Sequence, residues 1–423
     1  MSIRVRFAPS PTGDMHIGNL RTAILNWLFA WQNNGKFFLR IEDTDESRSN
    51  EKYVENIINI LKWMGLNYED NIIYQSHRLS IYEKYAKILL DKSYAFYCQC
   101  VNIEEKEKLD SVLQTKCLCK NNNYQSGMVR LTIPENKIIE FQDMVYGKCI
   151  VNSNEIEQFG LLRANGTPLY NFSVVIDDIF QEISHVIRGE DHKTNTFKQI
   201  LLYEALECTP PQYAHLPMIL GFDGKKLSKR KESNNIQFLI NEGIISDALF
   251  NIAVKLGWGY KDEEHMTRNR IKEIWSLNKV KKSPSTFHID KLYSFSGYFF
   301  RNYDYKNQLI DYIKLRTVLT DEQVNIINHL YEEVSKRAKS FKEAFEQLEF
   351  IWKKPINYIN KELYDKLNEL SNWNEENINI LVKDYNIKLR EYITGRLVGF
   401  DLKKILLSLG QKEVLSRFLC ESK

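Results

Sequence analysis

The sequence predicts an α/β chain: a parallel sheet with helices on its faces, interrupted by an irregular insertion and followed by an all-helical third. Three observations carry this expectation. Over the first ninety residues strand-like and helical patterns alternate, as they do where crossover helices join parallel strands. Between about residues 98 and 125 that rhythm gives way to a polar, cysteine-bearing stretch, and it returns after residue 174. From about residue 240 onward nearly every segment has helical spacing.

Taken in order, Ile3-Arg4-Val5-Arg6-Phe7 alternates like a strand, and Leu20 to Leu28 reads as a helix ending near Gly35. Lys36 to Ile41 is a second strand that runs into the acidic turn Glu42-Asp43-Thr44-Asp45. Ser49 is placed to cap a helix through Tyr53, Ile57, Ile58, Leu61 and Met64, and another helix is expected from Leu79 to Leu90. Inside the insertion, strand-like pieces fall at 128–133, 148–151 and 158–162. Val174-Val175-Ile176-Asp177-Asp178 and residues 184–188 read as strands again, with a helix starting near Thr194. The later helices are expected at 246–256, 320–350, 361–370, 375–386 and 402–409.

At 423 residues the length prior allows about three domains, and 43% hydrophobic residues can fill their cores. The net charge of +3 excludes a uniformly basic nucleic-acid binder, so any such partner is met by local basic faces. Lys279-Val280-Lys281-Lys282-Ser283 and the helices after residue 380 are such faces, though each also reads as an ordinary solvated surface. No secretion signal is read at the start, and no 18-residue apolar run offers a membrane span. Seven cysteines, an odd number, fit a reduced cytoplasmic protein with a metal site better than a disulfide framework.

Two motifs point to phosphate chemistry. His16-Ile17-Gly18-Asn19 lies between a strand and a helix N-terminus, where free backbone N–H groups and the helix dipole favour an anion. Lys226-Leu227-Ser228-Lys229-Arg230 follows the turn Gly221-Phe222-Asp223-Gly224 and offers two ammonium groups and a hydroxyl to a polyphosphate. Together they describe a site for ATP and for charge developing at its α-phosphate. Arg6, Ser10, Glu42, Tyr170 and Arg188 fall at or just past expected strand ends, the ligand-binding edge of an open α/β sheet. Two guanidiniums and a carboxylate suit an amino acid with a second carboxylate, and equally suit ordinary surface ion pairs. Cys98, Cys100, Cys117 and Cys119 form two thiol pairs sixteen residues apart, enough to close a structural zinc site. The alternative is four incidental thiols. Cys149, Cys208 and Cys420 read as packed cysteines, and Asp177-Asp178 as the ordering pair of a strand-to-loop turn.

In this order the motifs resemble those of the bacterial-type glutamyl-tRNA synthetases, a class I family. The matching segments are Arg6-Phe7-Ala8-Pro9-Ser10-Pro11-Thr12-Gly13 with His16 to Asn19, Arg40-Ile41-Glu42-Asp43-Thr44-Asp45, Arg188-Gly189-Glu190-Asp191-His192 and Lys226 to Arg230. The likeness is clear over about residues 1–300 and looser beyond. It implies an α/β Rossmann-like catalytic domain (1–90 and 176–235) with an inserted α+β domain for the tRNA acceptor end (91–175). A helical stem-contact domain (236–303) and an all-α anticodon-binding region (304–423) would follow.

The resemblance also implies roles. ATP with Mg²⁺ would lie on Pro9, Thr12, His16, Gly18, Asn19, Leu227 and Lys229. His16 and Lys229 would stabilise the transition state, with Lys226 and Ser228 assisting. L-glutamate would lie among Arg6, Ser10, Glu42, Tyr170 and Arg188, with either arginine on either carboxylate. The four cysteines would hold one Zn²⁺. The implied partner is tRNA-Glu, with tRNA-Gln as an addition or replacement, and the chain is expected to act as a cytoplasmic monomer away from membranes. Asn19 stands where other class I enzymes have histidine, and Leu227 and Arg230 replace the commoner methionine and serine; all three changes are usual in this family. A silent tRNA-binding paralogue is opposed by the intact His16, Lys226 and Lys229. A general nucleotidyltransferase leaves Glu42, Arg188 and the helical end unexplained.

Overall fold

The computed structural model describes residues 2–45, 49–99, 117–221, 224, 235–355 and 361–418. By contact density the chain forms two compact units: Met1–Phe238 with Phe250–His288, and Leu239–Leu249 with Ile289–Lys423. None of the described helices is long and apolar enough to cross a membrane.

In the first unit β1 (Arg4–Phe7), α1 (Ile17–Gln32), β2 (Lys36–Ile41), α2 (Glu51–Trp63), β3 (Ile73–Tyr74) and α3 (Leu79–Asp91) follow one another. The strands pair in parallel in the order β1-β2-β3, as alternating elements require. Asn50, not Ser49, caps α2, its side chain accepting from the Lys52 N–H. Next come β4 (Ala95–Cys98), β5 (Met128–Leu131), β6 (Ile138–Asp143), β7 (Gly147–Asn152) and β8 (Gly160–Leu162). β4, β5 and β8 make a small antiparallel sheet. The β6–β7 hairpin instead joins a second sheet through a parallel pairing with β10 (Gln212–Leu216), whose other neighbour is β9 (His185–Gly189). That sheet lies beside β1, for the Ser184 N–H donates to the Arg4 carbonyl at 2.9 Å.

One expected element changes type. Residues 174–178, read as a strand, lie inside the helix α4 (Tyr170–Phe180). A short run of apolar residues without polar interruption has the same pattern in a buried strand and a buried helix, and here residues 172–178 are all buried. α5 (Lys193–Ala205) completes this part.

Among the described residues of the second unit every regular element is helical. The span 320–350 is not one helix: the first ends at Ser335, and Ser340 caps a second that begins at Phe341. The last helix continues past the expected Leu409 to Ser416 through a kink at Gly410, whose φ of 75° a side chain would resist.

Candidate active site

The carboxyl ends of β1, β2, β9 and β10 open into one cavity of about 450 Å³, ordinary for a small-molecule site. Arg6, Pro9, Ser10, Thr12, His16, Gly18, Asn19, Glu42, Tyr170 and Arg188 all line it. Tyr170 arrives differently from the sequence reading, on the first turn of α4 and not at a strand end.

His16 caps α1. Its Nδ1 accepts the N–H groups of Gly18 (3.1 Å) and Asn19 (3.3 Å), and the Asn19 side chain accepts the His16 N–H in return. A nitrogen that accepts carries no proton, so the ring's proton sits on Nε2. Gly18 is small for a local reason: a Cβ there would fall 2.9 Å from the His16 ring. The room it leaves is taken by the imidazole.

The amino-acid side of the cavity is a buried charge network. Arg6 donates through Nε to Asp178 at 3.1 Å. Arg40, fully buried, donates to the same carboxylate oxygen at 2.7 Å and stands 3.5 Å from Glu42. Burial opposes the charge on Asp178, but the Arg40 and Arg6 guanidiniums hold its carboxyl below the usual range. Asp177 accepts from Arg78 (2.7 Å), Gln75 (2.8 Å) and Tyr82 (2.8 Å), fastening α4 to α3 and the segment before it. The acidic pair thus anchors a helix against arginines; it does not order a strand-to-loop turn. Burial pushes Glu42 up to about 7 despite Arg40 and Arg6.

Opposite, the Arg188 Nη2 donates to the Thr196 hydroxyl at 2.7 Å and its Nε to His215 at 3.2 Å. Its Nη1 is buried with no partner among the described residues. The Tyr170 hydroxyl lies 3.1 Å from His192 Nδ1. Burial, then the Arg188 charge, pushes His192 down to about 4, and burial pushes Tyr170 up to about 12, so both are neutral near pH 7. Such a pocket offers cations to carboxylates and one anion to an ammonium, beside a helix N-terminus suited to phosphate.

Residues 2–294 match the family model described as tRNA synthetases class I (E and Q), catalytic domain. The chain belongs to this class I synthetase family. It is similar throughout to glutamate–tRNA ligase 1 of Helicobacter pylori (strain HPAG1), with 36% identity over 459 aligned residues covering 98% of each chain. The glutamate–tRNA ligase of Buchnera aphidicola subsp. Cinara cedri (strain Cc) is 35% identical, covering 99% of this chain and 96% of its own. Among solved structures, a glutamate tRNA ligase from Elizabethkingia meningosepticum CCUG26117, crystallised in complex with its amino acid, superposes with a TM-score of 0.78. That match has 26% identity and covers 99% of both chains.

Two expected parts of this class I synthetase fall wholly or partly outside the described residues. Lys226, Leu227, Ser228 and Lys229 all lie there. So does Cys100, whereas the sulfurs of Cys98, Cys117 and Cys119 gather within 4.8 Å of one another. Cys98 and Cys117 are 3.4 Å apart, near the sulfur separation of a tetrahedral thiolate site. The donor set suits zinc. Cys149 and Cys208 are not part of this group.

Sequence reasoning missed Arg40, Asp178, Glu190, Arg21 and the Thr196–His215 pair, which touch or support the cavity. Glu190 accepts the Met218 N–H at 2.8 Å and the Tyr146 hydroxyl. Arg21 donates to the Pro217 carbonyl at 2.8 Å, and burial pushes its guanidinium down to about 10. Arg40, Asp178 and Glu190 stood in segments the sequence singled out without being given these roles, and nothing local marks Arg21, whose partner Pro217 is 196 positions away.

Proposed function

We propose that the chain is a glutamate–tRNA ligase that forms glutamyl-adenylate from L-glutamate and ATP and passes the glutamyl group to tRNA-Glu. The observation that carries this reading is the sharing of one cavity by the His16-capped helix end and the set Arg6, Glu42, Tyr170 and Arg188. A glutamate α-carboxylate oxygen attacks the α-phosphorus of ATP, and the bond to the bridging oxygen breaks to release pyrophosphate. The terminal ribose hydroxyl of the tRNA then attacks the activated carbonyl, and AMP leaves. ATP brings Mg²⁺ with its phosphates. Arg6 and Arg188 pair with the two carboxylates, Glu42 accepts from the ammonium, and His16 with Lys229 meets the charge growing on the α-phosphate. Catalysis is then mainly positioning and electrostatic preorganisation. Glutamine is rejected because its amide leaves a guanidinium unpaired in a buried site.

On the same reading residues 91–175 receive the tRNA acceptor end, 236–303 meet the stem and 304–423 meet the anticodon. Cys98, Cys117 and Cys119, with Cys100, hold one structural zinc. Metal analysis of the purified chain is expected to give one zinc per molecule, and a Cys98→Ser/Cys117→Ser double variant none. Equal zinc in both would remove the thiols from the site.

A pH dependence follows from Glu42. With its carboxyl pushed up to about 7, acidification protonates the group that accepts from the ammonium. The value of kcat/KM for glutamate should fall below about pH 7, approaching tenfold per unit, because this quantity reports the free enzyme's ionisations. Glu42→Gln should be weak and flat over the same range; a profile identical to the wild type's would sink the assignment.

The direct test is glutamate attachment to separately purified tRNA-Glu and tRNA-Gln with ATP and Mg²⁺. Charging of tRNA-Glu supports the proposal. Charging of both extends it to a non-discriminating enzyme, and charging of neither by folded protein ends it.

A further inference from the structure

Behind Arg188 the chain builds a relay that the proposed chemistry does not use directly. His215, on β10, is fully buried and bonded at both ring nitrogens. Nδ1 lies 2.6 Å from Asp143 Oδ2, and Nε2 lies 3.2 Å from Arg188 Nε and 3.1 Å from the Thr196 hydroxyl. A guanidinium can only donate, so Nε2 must be the bare nitrogen and Nδ1 must carry the proton to Asp143. Asp143 is itself held at the end of β6 by the N–H groups of Val145 and Tyr146, each at 2.8 Å.

Burial, then the nearby Arg188 charge against the opposing pull of Asp143, keeps His215 neutral near pH 7. The Arg188 guanidinium is consequently held by the Nε2 lone pair, by the Thr196 oxygen at 2.7 Å, by the His192 carbonyl at 3.3 Å and by the Tyr213 ring 5.6 Å away. What remains is Nη1, buried at the cavity without a partner among the described residues.

We propose that His215, locked into one tautomer by Asp143, is a positioning residue for amino-acid recognition: its Nε2 lone pair aims Arg188 at a carboxylate of the substrate. This rests on the reading of the cavity as a glutamate site. An arginine holding a planar carboxylate needs its fork fixed in plane. Asp143 and Thr196 set the two bonds that accomplish this, one through the histidine and one directly.

The test compares two substitutions that each keep half of the histidine. In His215→Asn the amide nitrogen replaces Nδ1 and can still reach Asp143, but nothing at the place of Nε2 accepts from Arg188 Nε. In His215→Gln the amide oxygen falls near Nε2 and can accept from Arg188. Steady-state tRNA glutamylation is measured for the wild type and both variants, varying glutamate and ATP separately, with thermal melting as a check on folding. His215→Asn should raise the glutamate KM about tenfold or more, the effect of one mispaired buried polar group, and leave the ATP KM within about twofold. His215→Gln should recover most of the loss. The proposal is overturned if Asn is as good as Gln, if both KM values move together, or if neither variant differs from the wild type. An inactive wild type would defeat the glutamate reading itself, which is a separate outcome.

Discussion

Replacing Arg188 with alanine should lower kcat/KM for glutamate by ~10²–10³-fold while the ATP KM stays near its wild-type value. The two guanidiniums that would meet the amino acid are themselves buried: Arg188 and Arg6 are 5% and 4% exposed. Removing one member of a buried ion pair costs about 3–5 kcal/mol, because the remaining charge has no water to return to. At about 1.4 kcal/mol per factor of ten, that range gives the stated loss or slightly more. The fold itself should lose little. Thr196 and His215 lie 3.1 Å apart and can bond to each other once the guanidinium is gone, and the unpartnered Nη1 disappears. Arg188→Lys should not rescue, since one ammonium cannot reach Thr196, His215 and a substrate carboxylate in a single plane. The checks are steady-state glutamylation with each substrate varied and a melting curve. A loss smaller than about fivefold would take Arg188 out of the pocket.

The sequence carried the parts of this site that lie in short contiguous motifs. His16 to Asn19 and Glu42 were visible because strand-turn-helix patterning is local and phosphate or carboxylate recognition uses few residue types. The four strand ends that form the cavity were partly legible from alternation alone: β1, β2 and β9 fall where expected. β6 went unread. Its buried positions, Ile139 and Asp143, are too few and too mixed in character to stand out. Yet Asp143 braces Arg188 through His215, so the least legible strand supports one of the more legible residues.

The misreading of 174–178 has the same origin. Helix and strand differ in period, and period is visible only when one face is polar. α4 is buried nearly all round because it carries two carboxylates inward to five cationic or donor groups, Arg6, Arg40, Gln75, Arg78 and Tyr82. A pair that reads in sequence as the ordering element of a turn is, in three dimensions, already held by arginines, a glutamine and a tyrosine. Sequence spacing alone could not separate those cases, since the cations come from β1, β2 and the segment before α3.

The second large effect concerns His16, whose two jobs can be separated. As N-cap its Nδ1 accepts two backbone N–H groups, and this forces the proton onto Nε2, the donor that the proposed reaction would direct at a phosphate. Alanine would remove both functions, with the lost cap alone costing about 1 kcal/mol of stability. Asparagine is among the best N-caps and can accept from the same N–H groups, but it has nothing at the position of Nε2. His16→Asn should therefore melt within a few degrees of the wild type and bind glutamate with nearly unchanged KM, yet turn over ~10²-fold more slowly. That is the usual loss when one preorganised donor to developing charge is removed. Isotope exchange between pyrophosphate and ATP in the presence of tRNA isolates the first step. If exchange in His16→Asn stays within a factor of a few of the wild type, His16 is only a helix cap, and the charge at the α-phosphate must be met by other groups.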